Sequence, residues 1–292
     1  MQFVPSAWAQ FRDKLTGEAA SALEALALPS VRLHPDDTAD VVPGQPGGPA
    51  DPAGVVTRFG GVPLVDDDFT WPHTDDGRPL CLIAQVNTDQ VNGWAGEQLL
   101  PAGLLLNFFY DAVEQETWGC QPQDAHYWRV VTADSAGARP AEAPEEAITF
   151  AARSVTGQPV ATMPWPSEPA FEAVAATHDV DDTAYGNIDA EEESPRYRLL
   201  GWPEPQQGPM QRDCQLVSSG VDLWDPADLH HPRVEGLAAG ADDWRLLLQV
   251  DSDDEREEDE WLWGDSGMLY FWIRRQDLAA ARFDRVWAMI QG

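Results

Sequence analysis

The chain has 292 residues, with 50 acidic residues against 18 lysines and arginines and a formal net charge of −32. This charge disfavours binding to nucleic-acid phosphates and to anionic membrane surfaces, and it favours a basic protein or peptide as partner. Hydrophobic residues make up 43% of the chain, enough for a sizeable core, but no apolar run reaches the roughly eighteen residues of a membrane span.

Cysteine usage and the N-terminus indicate the compartment. The three cysteines, Cys81, Cys120 and Cys214, are too few and too scattered for a disulfide framework or a zinc ribbon. The first residues lack the basic segment and apolar core of a secretion signal, so we expect a cytoplasmic protein. No phosphate-loop, dinucleotide-binding, HExxH or GxSxG motif occurs, and we expect no cofactor.

The N-terminal segment, residues 1–54, is predicted to be a helix followed by a loop. Residues 6–28 place Trp8, Phe11, Leu15 and Leu23 at helical spacing, which predicts a helix with one buried stripe. Residues 34–54 are rich in proline, glycine and aspartate and are expected to form a loop.

Short apolar runs predict strands along the rest of the chain, and the near-continuous ones are typical of strands covered on both faces. Two short helices are expected at residues 168–176 and 277–282. The predicted strands are residues 80–87, 104–110, 127–131, 147–155, 216–219, 245–250, 267–274 and 283–291.

Two stretches share a spacing that indicates an internal repeat. Gln85 ends an apolar run and is followed after 18 positions by Gly103, and Gln249 and Gly267 repeat this spacing. Upstream, the pattern of Arg, two residues and Gly-x-Pro occurs at Arg58 and again 140 positions later, whereas the glutamines lie 164 positions apart. The second copy therefore carries an insertion of 24 residues, which we place within residues 220–242.

We accordingly expect an α+β, strand-rich mixed fold of two similar fused halves, produced by internal duplication and preceded by the N-terminal helix. The first half would be residues 55–131 and the second, with its insertion, residues 148–292. Residues 132–147, rich in alanine, proline and glutamate, would link them within one structural unit.

Several motifs, in this order, resemble the YwqG-like family of bacterial proteins, a domain of unknown function. The resemblance covers roughly residues 55–292 and implies a mixed α+β, strand-rich fold, but it assigns no catalytic residue. Members of such families sometimes lie beside toxin genes, which implies an immunity-like role. The motifs are Gly60-Gly-Val-Pro63, Trp71-Pro72, Ala84-Gln-Val-Asn87, Leu200-Gly-Trp-Pro203, Leu247-Leu-Gln-Val-Asp251 and Trp263-Gly-Asp-Ser-Gly267.

Acidic residues after the second repeat strand are candidate ligands for a divalent cation. Asp251, Asp253 and Asp265 offer the carboxylate oxygens that hard cations prefer, although the spacing is not that of an EF-hand. The alternative is a solvated hairpin loop whose charge prevents edge pairing.

Gln85 and Gln249 are candidate binding residues because they end equivalent strands. The structural alternative is that their amides face each other and bond the backbone near a pseudo-twofold axis, since a buried amide needs partners.

Cys214 is a candidate nucleophile, with His230 and His231 downstream as candidate bases. No cysteine-protease signature surrounds it, and a buried thiol is the alternative.

Thirteen tryptophans are many for this length. Trp71 and Trp202, each beside a proline, are candidates to line a groove for a peptide or carbohydrate, and Trp263 lies within a repeat motif. Core packing is the alternative for all three.

These observations predict a non-catalytic protein-binding module whose acidic surface engages a basic partner, such as a toxin, with tryptophans as anchors. The alternative is a hydrolase or peptide-modifying enzyme with its site in the groove between the halves.

Overall fold

The computed structural model describes residues 8, 11–35, 55–181, 195–253 and 261–292. These residues form a ten-stranded antiparallel sheet, a separate two-stranded ribbon and seven short α-helices. The expected α+β, strand-rich mixed class is therefore confirmed. None of the helices within these ranges combines the length and apolar character needed to cross a bilayer.

The strands are β1 (Leu28–Pro35), β2 (Arg58–Phe59), β3 (Leu64–Val65), β4 (Cys81–Asn87), β5 (Leu104–Tyr110), β6 (Trp128–Asp134), β7 (Arg139–Pro140), β8 (Arg153–Thr162), β9 (Tyr197–Leu200), β10 (Trp244–Asp251), β11 (Met268–Arg274) and β12 (Trp287–Gln291). The α-helices are α1 (Gly17–Glu24), α2 (Thr88–Ala95), α3 (Pro169–His178), α4 (Gln211–Val217), α5 (Pro226–Leu229), α6 (Arg233–Ala238) and α7 (Arg275–Ala279). Short 3₁₀ turns occupy Pro122–His126, Ala241–Asp243 and Phe283–Arg285.

The strand order of the large sheet is β12-β11-β10-β9-β1-β8-β2-β4-β5-β6. Its two flanks run outwards in the same chain order, β2-β4-β5-β6 on one side and β9-β10-β11-β12 on the other. Between them β1 and β8 pair over eight residues, from Leu28 opposite Thr162 to Pro35 opposite Val155. The segment before the first half thus pairs with β9 of the second half, and β8 pairs with β2 of the first.

The sheet curls until its outer strands, β6 and β12, approach each other. Three hydrogen bonds bridge this seam: Trp128 Nε1 donates to the Val286 carbonyl (3.0 Å), Trp287 Nε1 to the Gly119 carbonyl (2.8 Å), and the Ile290 amide to the Trp118 carbonyl (3.3 Å). The ends are joined by indole groups and one backbone bond, so the sheet is nearly closed.

Aromatic side chains from the two flanks meet inside the curled sheet. Phe108 of β5 and Phe271 of β11 contact each other with ring centroids 5.1 Å apart. Tyr110 packs edge-on against Trp263 at 6.1 Å. Strands β4, β5, β10 and β11 are buried along nearly their whole length, which explains why their sequences are continuous apolar runs.

Helices cover the outside of the sheet. Trp94 of α2 lies directly over Gly157 of β8, where any side chain on residue 157 would collide with the indole ring. Near the N-terminus, Trp8, Phe11 and Leu23 form a small separate cluster with Phe171 of α3.

The predicted N-terminal helix over residues 6–28 is interrupted: Trp8, Phe11 and Arg12 are helical, residues 13–16 are not, and a second helical segment ends at Glu24. Helix α1 begins after Thr16, whose hydroxyl caps it by accepting from the Ala19 amide at 3.2 Å. Residues 1–7 and 9–10 lie outside the described residues, as does the predicted loop from residue 36 to 54. Residues 28–35 form strand β1, so the prediction that Leu28 ends the helix is wrong, and so is the prediction that His34 and Pro35 begin the loop.

Residues 216–219 were predicted to be a strand, and this is wrong. They end helix α4 and the turn after it. Met210, Cys214 and Val217 recur at three-and-four spacing and are all fully buried, which is the helical period rather than the strand period. Helices α4, α5 and α6 precede β10 and form their own small core around Leu216, Val221 and Val234.

Other predicted boundaries also differ. The strand expected at residues 283–291 begins only at Trp287, after the 3₁₀ turn Phe283–Arg285. The strand expected at residues 147–155 begins only at Arg153 and continues as β8. The expected linker, residues 132–147, contains the end of β6 and also β7, which pairs with β3.

Candidate functional site

Gln85 lies on β4 and its side chain is fully buried. Its Oε1 accepts from the Leu64 amide at 2.9 Å, and its Nε2 donates to the Val56 carbonyl at 3.1 Å. The side-chain amide of Gln85 therefore links β4 to the backbone segments that precede and follow β2.

Gln249 on β10 is also fully buried and makes the matching pair of bonds. Its Oε1 accepts from the Glu204 amide at 2.9 Å, and its Nε2 donates to the Arg196 carbonyl at 3.0 Å. Each glutamine bonds the backbone of its own half, and both ends of each amide are engaged within the protein.

Asp251 and Asp253 are buried and paired with arginines. Asp251 Oδ2 accepts from the Arg196 amide at 2.8 Å and from its Nε at 3.2 Å. Asp253 Oδ2 lies 2.8 Å from Arg153 Nη1. The solvated loop expected for these two positions is therefore wrong, because their carboxylates are enclosed.

Asp265 lies apart from the ion pairs of Asp251 and Asp253, and it is exposed to solvent. Residues 254–260 lie outside the described part of the chain. Among the described residues, no three side chains of histidine, cysteine, aspartate or glutamate are grouped so that they could hold a metal ion.

Cys214 is fully buried in α4, with its Sγ 3.4 Å from Met289 Sδ. Burial raises the pKa of the Cys214 thiol well above its usual value. His230 and His231 are exposed, and His231 Nδ1 accepts from the Arg233 amide at 3.2 Å. A thiol that rarely ionises is a poor nucleophile.

The three predicted tryptophans use their indole N–H groups inside the fold. Trp71 Nε1 donates to the Leu80 carbonyl at 2.9 Å, Trp202 Nε1 to Leu26 at 2.7 Å, and Trp263 Nε1 to Asp251 at 3.1 Å.

Trp71 also lines a shallow cavity of about 430 Å³ beside the β3–β7 ribbon. Three acidic residues share this cavity with it: Asp66, Asp67 and Glu142. Asp67 is paired with Arg139.

Trp224, which the sequence analysis did not single out, has 56% of its surface exposed. It stands between Asp222 and Asp225, with Asp228 following, in the segment predicted to carry the insertion. The available signal was an indole flanked by acids within that inserted segment, but sequence alone does not tell which tryptophan reaches the surface.

The loop that carries Trp224 is fixed by hydrogen bonds. Asp222 Oδ1 accepts from the Trp224 amide at 2.8 Å, and Asp222 Oδ2 accepts from Gln121 Nε2 at 2.7 Å. The Leu223 amide donates to the Cys120 carbonyl at 3.0 Å. These bonds hold the exposed indole on a defined backbone.

A second candidate lies at the seam between β6 and β12. A cavity of about 530 Å³ opens there and takes its walls from both halves. Polar and aromatic side chains line it: Gln123, His126, Trp128, Arg129, Ser218, Arg274, Phe283, Asp284, Arg285 and Trp287.

Comparison with known families places most of the chain in one of them. A model described as a domain of unknown function, DUF1963, covers residues 57–291. Comparison with curated proteins finds no match.

Proposed function

The chain belongs to the DUF1963 family, a domain of unknown function, and from that premise we propose that it is a non-catalytic protein-binding module for a basic protein or peptide. The observation that carries this proposal is the exposed Trp224 in its acidic surroundings. Tryptophan is enriched among the residues that dominate binding energies, and its ring face attracts arginine and lysine.

The charge around Trp224 matches such a partner. Residues 220–243 contain six acidic residues and one arginine, in a chain whose net charge is −32. Carboxylates around an apolar anchor accelerate the encounter with a cationic partner and pair with its guanidinium or ammonium groups.

The fixed loop lowers the cost of binding. Because Asp222 and Gln121 already hold the backbone beside Trp224, little conformational freedom remains to be lost when a partner covers the indole.

The proposal is tested by calorimetric titration with synthetic peptides that alternate glycine with arginine, with lysine or with glutamate. We expect the two basic peptides to bind and the glutamate peptide not to bind. Raising the ionic strength from about 0.01 M to about 0.15 M shortens the Debye length from roughly 30 to 8 Å and should weaken the association.

The variant Trp224→Ala is expected to weaken this binding about tenfold, as loss of a hot-spot indole does. The matched control is Val113→Ala, which shortens another exposed apolar side chain, 51% accessible, next to an acidic residue. Equal affinities of the Trp224→Ala variant and the wild type, or salt-independent binding, would contradict the proposal.

The alternative of a hydrolase or peptide-modifying enzyme gains no support from its candidate residues. Cys214 is enclosed against Met289, and Asp251 and Asp253 are bound to arginines. A groove between the halves does exist at the seam, but Cys214 does not line it.

We further propose that the chain is a bacterial, YwqG-like member of its family and that it acts in the cytoplasm. The ordered motifs from residue 60 to 267 support the first point. The three free cysteines support the second, because reducing compartments keep thiols unpaired. A basic toxin would be one such partner, and its inhibition would make the chain immunity-like.

We also propose that the two halves arose by internal duplication. Strand order supports this, since both flanks run outwards in chain order. Pairing register supports it too: β4 is irregular between Leu82 and Ala84, and β10 is irregular between Leu246 and Leu248, exactly 164 positions later.

A further inference from the structure

The seam cavity has a rigid aromatic floor. Trp128 and Trp287 meet edge to face there, with ring centroids 4.8 Å apart. Each indole is fixed by its own hydrogen bond, Trp128 to the Val286 carbonyl and Trp287 to the Gly119 carbonyl. Only 3% of the Trp128 surface and 6% of the Trp287 surface are accessible, so the floor is the edge of a packed indole pair whose N–H groups already have partners.

The walls carry an excess of positive charge. Of the described residues that line the cavity, three are arginines and one, Asp284, is acidic. Asp284 is already held by Arg282 through two bonds of 2.9 Å, whereas Arg285 lies 3.6 Å from it. One carboxylate therefore serves two guanidinium groups.

Arg129 has no carboxylate partner among the described residues. Its Nη1 donates to the backbone carbonyls of Ala125 and, at 2.7 Å, of Trp128. The remaining N–H groups of the fork are left for a ligand, and its side chain is exposed at the cavity.

Arg274 is held in position on the second-half wall. Its guanidinium lies 4.4 Å from the centre of the Trp244 ring, and Nη2 donates to Ser218 Oγ at 2.9 Å and to Gln215 Oε1 at 3.2 Å. Its nearest carboxylate, Asp277, is 3.8 Å away. A guanidinium fixed in this way needs little reorganisation to receive an anion.

We propose that the seam cavity is a binding site for a small organic oxyanion, a carboxylate or phosphate carried on an aromatic or other apolar body. Arginine forks match the geometry of both groups. The aromatic floor suits the apolar body, and the cavity of about 530 Å³ is within the usual size of small-molecule sites, roughly 300–1,000 Å³. A concave cationic patch is not explained by solubility in a chain of net charge −32.

Calorimetric titration of the full chain with phenyl phosphate, benzoate, inorganic phosphate and benzyl alcohol tests this assignment. We expect at least one aromatic anion to bind with a dissociation constant on the order of 1 mM or lower. Benzyl alcohol, which lacks the charge, should not bind measurably, and inorganic phosphate, which lacks the ring, should bind more weakly. The tighter of the two aromatic anions identifies phosphate or carboxylate as the preferred group.

Two substitutions assign the binding to the cavity. Arg129→Gln and Arg274→Gln should each weaken the aromatic anion about tenfold, the effect of losing a charge-assisted hydrogen bond. Arg12→Gln is the matched control, because Arg12 is an exposed arginine paired with Glu24 outside the cavity, and it should leave the affinity unchanged. Arg129 is exposed, so its variant should unfold at the same urea concentration as the wild type.

Absence of saturable binding of both aromatic anions would overturn the assignment. Binding that both arginine variants retain would overturn it as well. The variant Trp224→Ala should keep the full affinity for the anion, so this site and the proposed protein-binding surface succeed or fail separately.

Discussion

Arg58 on β2 and Arg198 on β9 occupy the same place in the two flanks of the sheet, and both are buried. Arg198 forms an ion pair with Glu204, whereas Arg58 donates to the Val62 carbonyl and leaves its Nε and Nη1 without a hydrogen-bond partner. Burial lowers the pKa of the Arg58 guanidinium to about 10. Matching backbones thus enclose a compensated charge in one flank and an uncompensated charge in the other.

The residues around these arginines explain the difference. Leu64 stands in the first half where Glu204 stands in the second, 140 positions on. Glu204 also accepts from Arg196 Nη1 at 3.0 Å, and Val56 takes the place of that arginine. The two glutamines make matching backbone bonds in the two halves, although the charges around them differ.

A further pair of equivalent positions, Asn87 and Asp251, changes the structure that follows the strand. Asn87 Oδ1 accepts from the Asp89 and Gln90 amides at 3.0 and 3.1 Å and begins helix α2. Asp251 instead pairs with Arg196. One side chain caps a helix, and the other closes an ion-pair network.

The largest effect is expected from Glu204→Leu, which gives the second half the residue found at position 64. Arg198 and Arg196 would lose their shared carboxylate, and breaking a buried pair by removing one partner costs about 3–5 kcal/mol. Urea unfolding would measure this decrease in the free energy of unfolding. Leu64→Ala is the control for a change at the equivalent position that removes no charge partner, and a loss of less than about 1 kcal/mol for Glu204→Leu would contradict the comparison.

Replacing each arginine by methionine should give effects of opposite sign. Arg198→Met leaves Glu204 with Arg196 as its remaining partner and should destabilise the chain by about 2–3 kcal/mol. Arg58→Met removes a buried charge that has no counter-ion and should be neutral or stabilising by about 1 kcal/mol. Urea unfolding curves of the two variants measure both changes in the free energy of unfolding. Destabilisation by both variants would show that Arg58 has a partner.

The pH dependence of stability provides a control for the interpretation of the Arg58→Met variant. The pKa of Arg58 is lower in the folded chain than in the unfolded chain, so from pH of about 10 up to the higher pKa of the unfolded chain the unfolded chain binds more protons. The contribution of Arg58 to the free energy of unfolding of the wild type therefore rises with pH across that window. The difference in free energy of unfolding between Arg58→Met and the wild type should therefore shrink across that pH window. It should be constant below pH 9, roughly one unit under the pKa of the folded chain.

Gln85→Leu and Gln249→Leu test the shared framework, and their effects should be equal. Each change leaves one backbone N–H and one backbone carbonyl without their side-chain partner, at about 2 kcal/mol in total for each variant. Urea unfolding of the two variants, with Gln276→Leu on the exposed face of α7 as the control, measures this. A difference of more than about 1 kcal/mol between the two would mean that the halves do not depend equally on their amides.

Local apolar runs in the sequence were enough to predict the strands that are buried on both faces. Strand β1 was missed because its position depends on pairing with distant parts of the chain. Residues 104–110 form β5 with the predicted limits because the run is apolar except at Asn107, whose Nδ2 donates to the Leu64 carbonyl at 2.9 Å. Strand β1 contains two prolines and alternates polar residues with Val31 and Leu33, and its partners lie at least 120 residues away. Nothing local in the sequence indicates that pairing.

The candidate sites were less accessible from the sequence. The seam cavity joins residues around 126–129 to residues around 274–287, which only the curling of the sheet brings together. Thirteen tryptophans look alike in sequence, although Trp224 is exposed and Trp263 is fully buried. The acidic residues Asp251 and Asp253 also read as solvated, because their arginine partners come from distant strands.

The smallest effect is expected where the two halves touch at equivalent positions. Phe108 pairs with the residue before Gln85, and Phe271 pairs with the residue before Gln249. By pairing register the two phenylalanines are therefore equivalent, although they lie 163 positions apart and the glutamines 164. Their rings meet at 5.1 Å, as equivalent residues do beside a pseudo-twofold axis. A double-mutant cycle of Phe108→Leu and Phe271→Leu should give a coupling energy of about 1 kcal/mol in urea unfolding. The control is the cycle of Phe109→Leu with Phe271→Leu, because the Phe109 ring packs on Phe69 and Trp71. The effects of these two changes on the free energy of unfolding should add within about 0.5 kcal/mol. Additivity in both cycles would remove the energetic case for a shared axis.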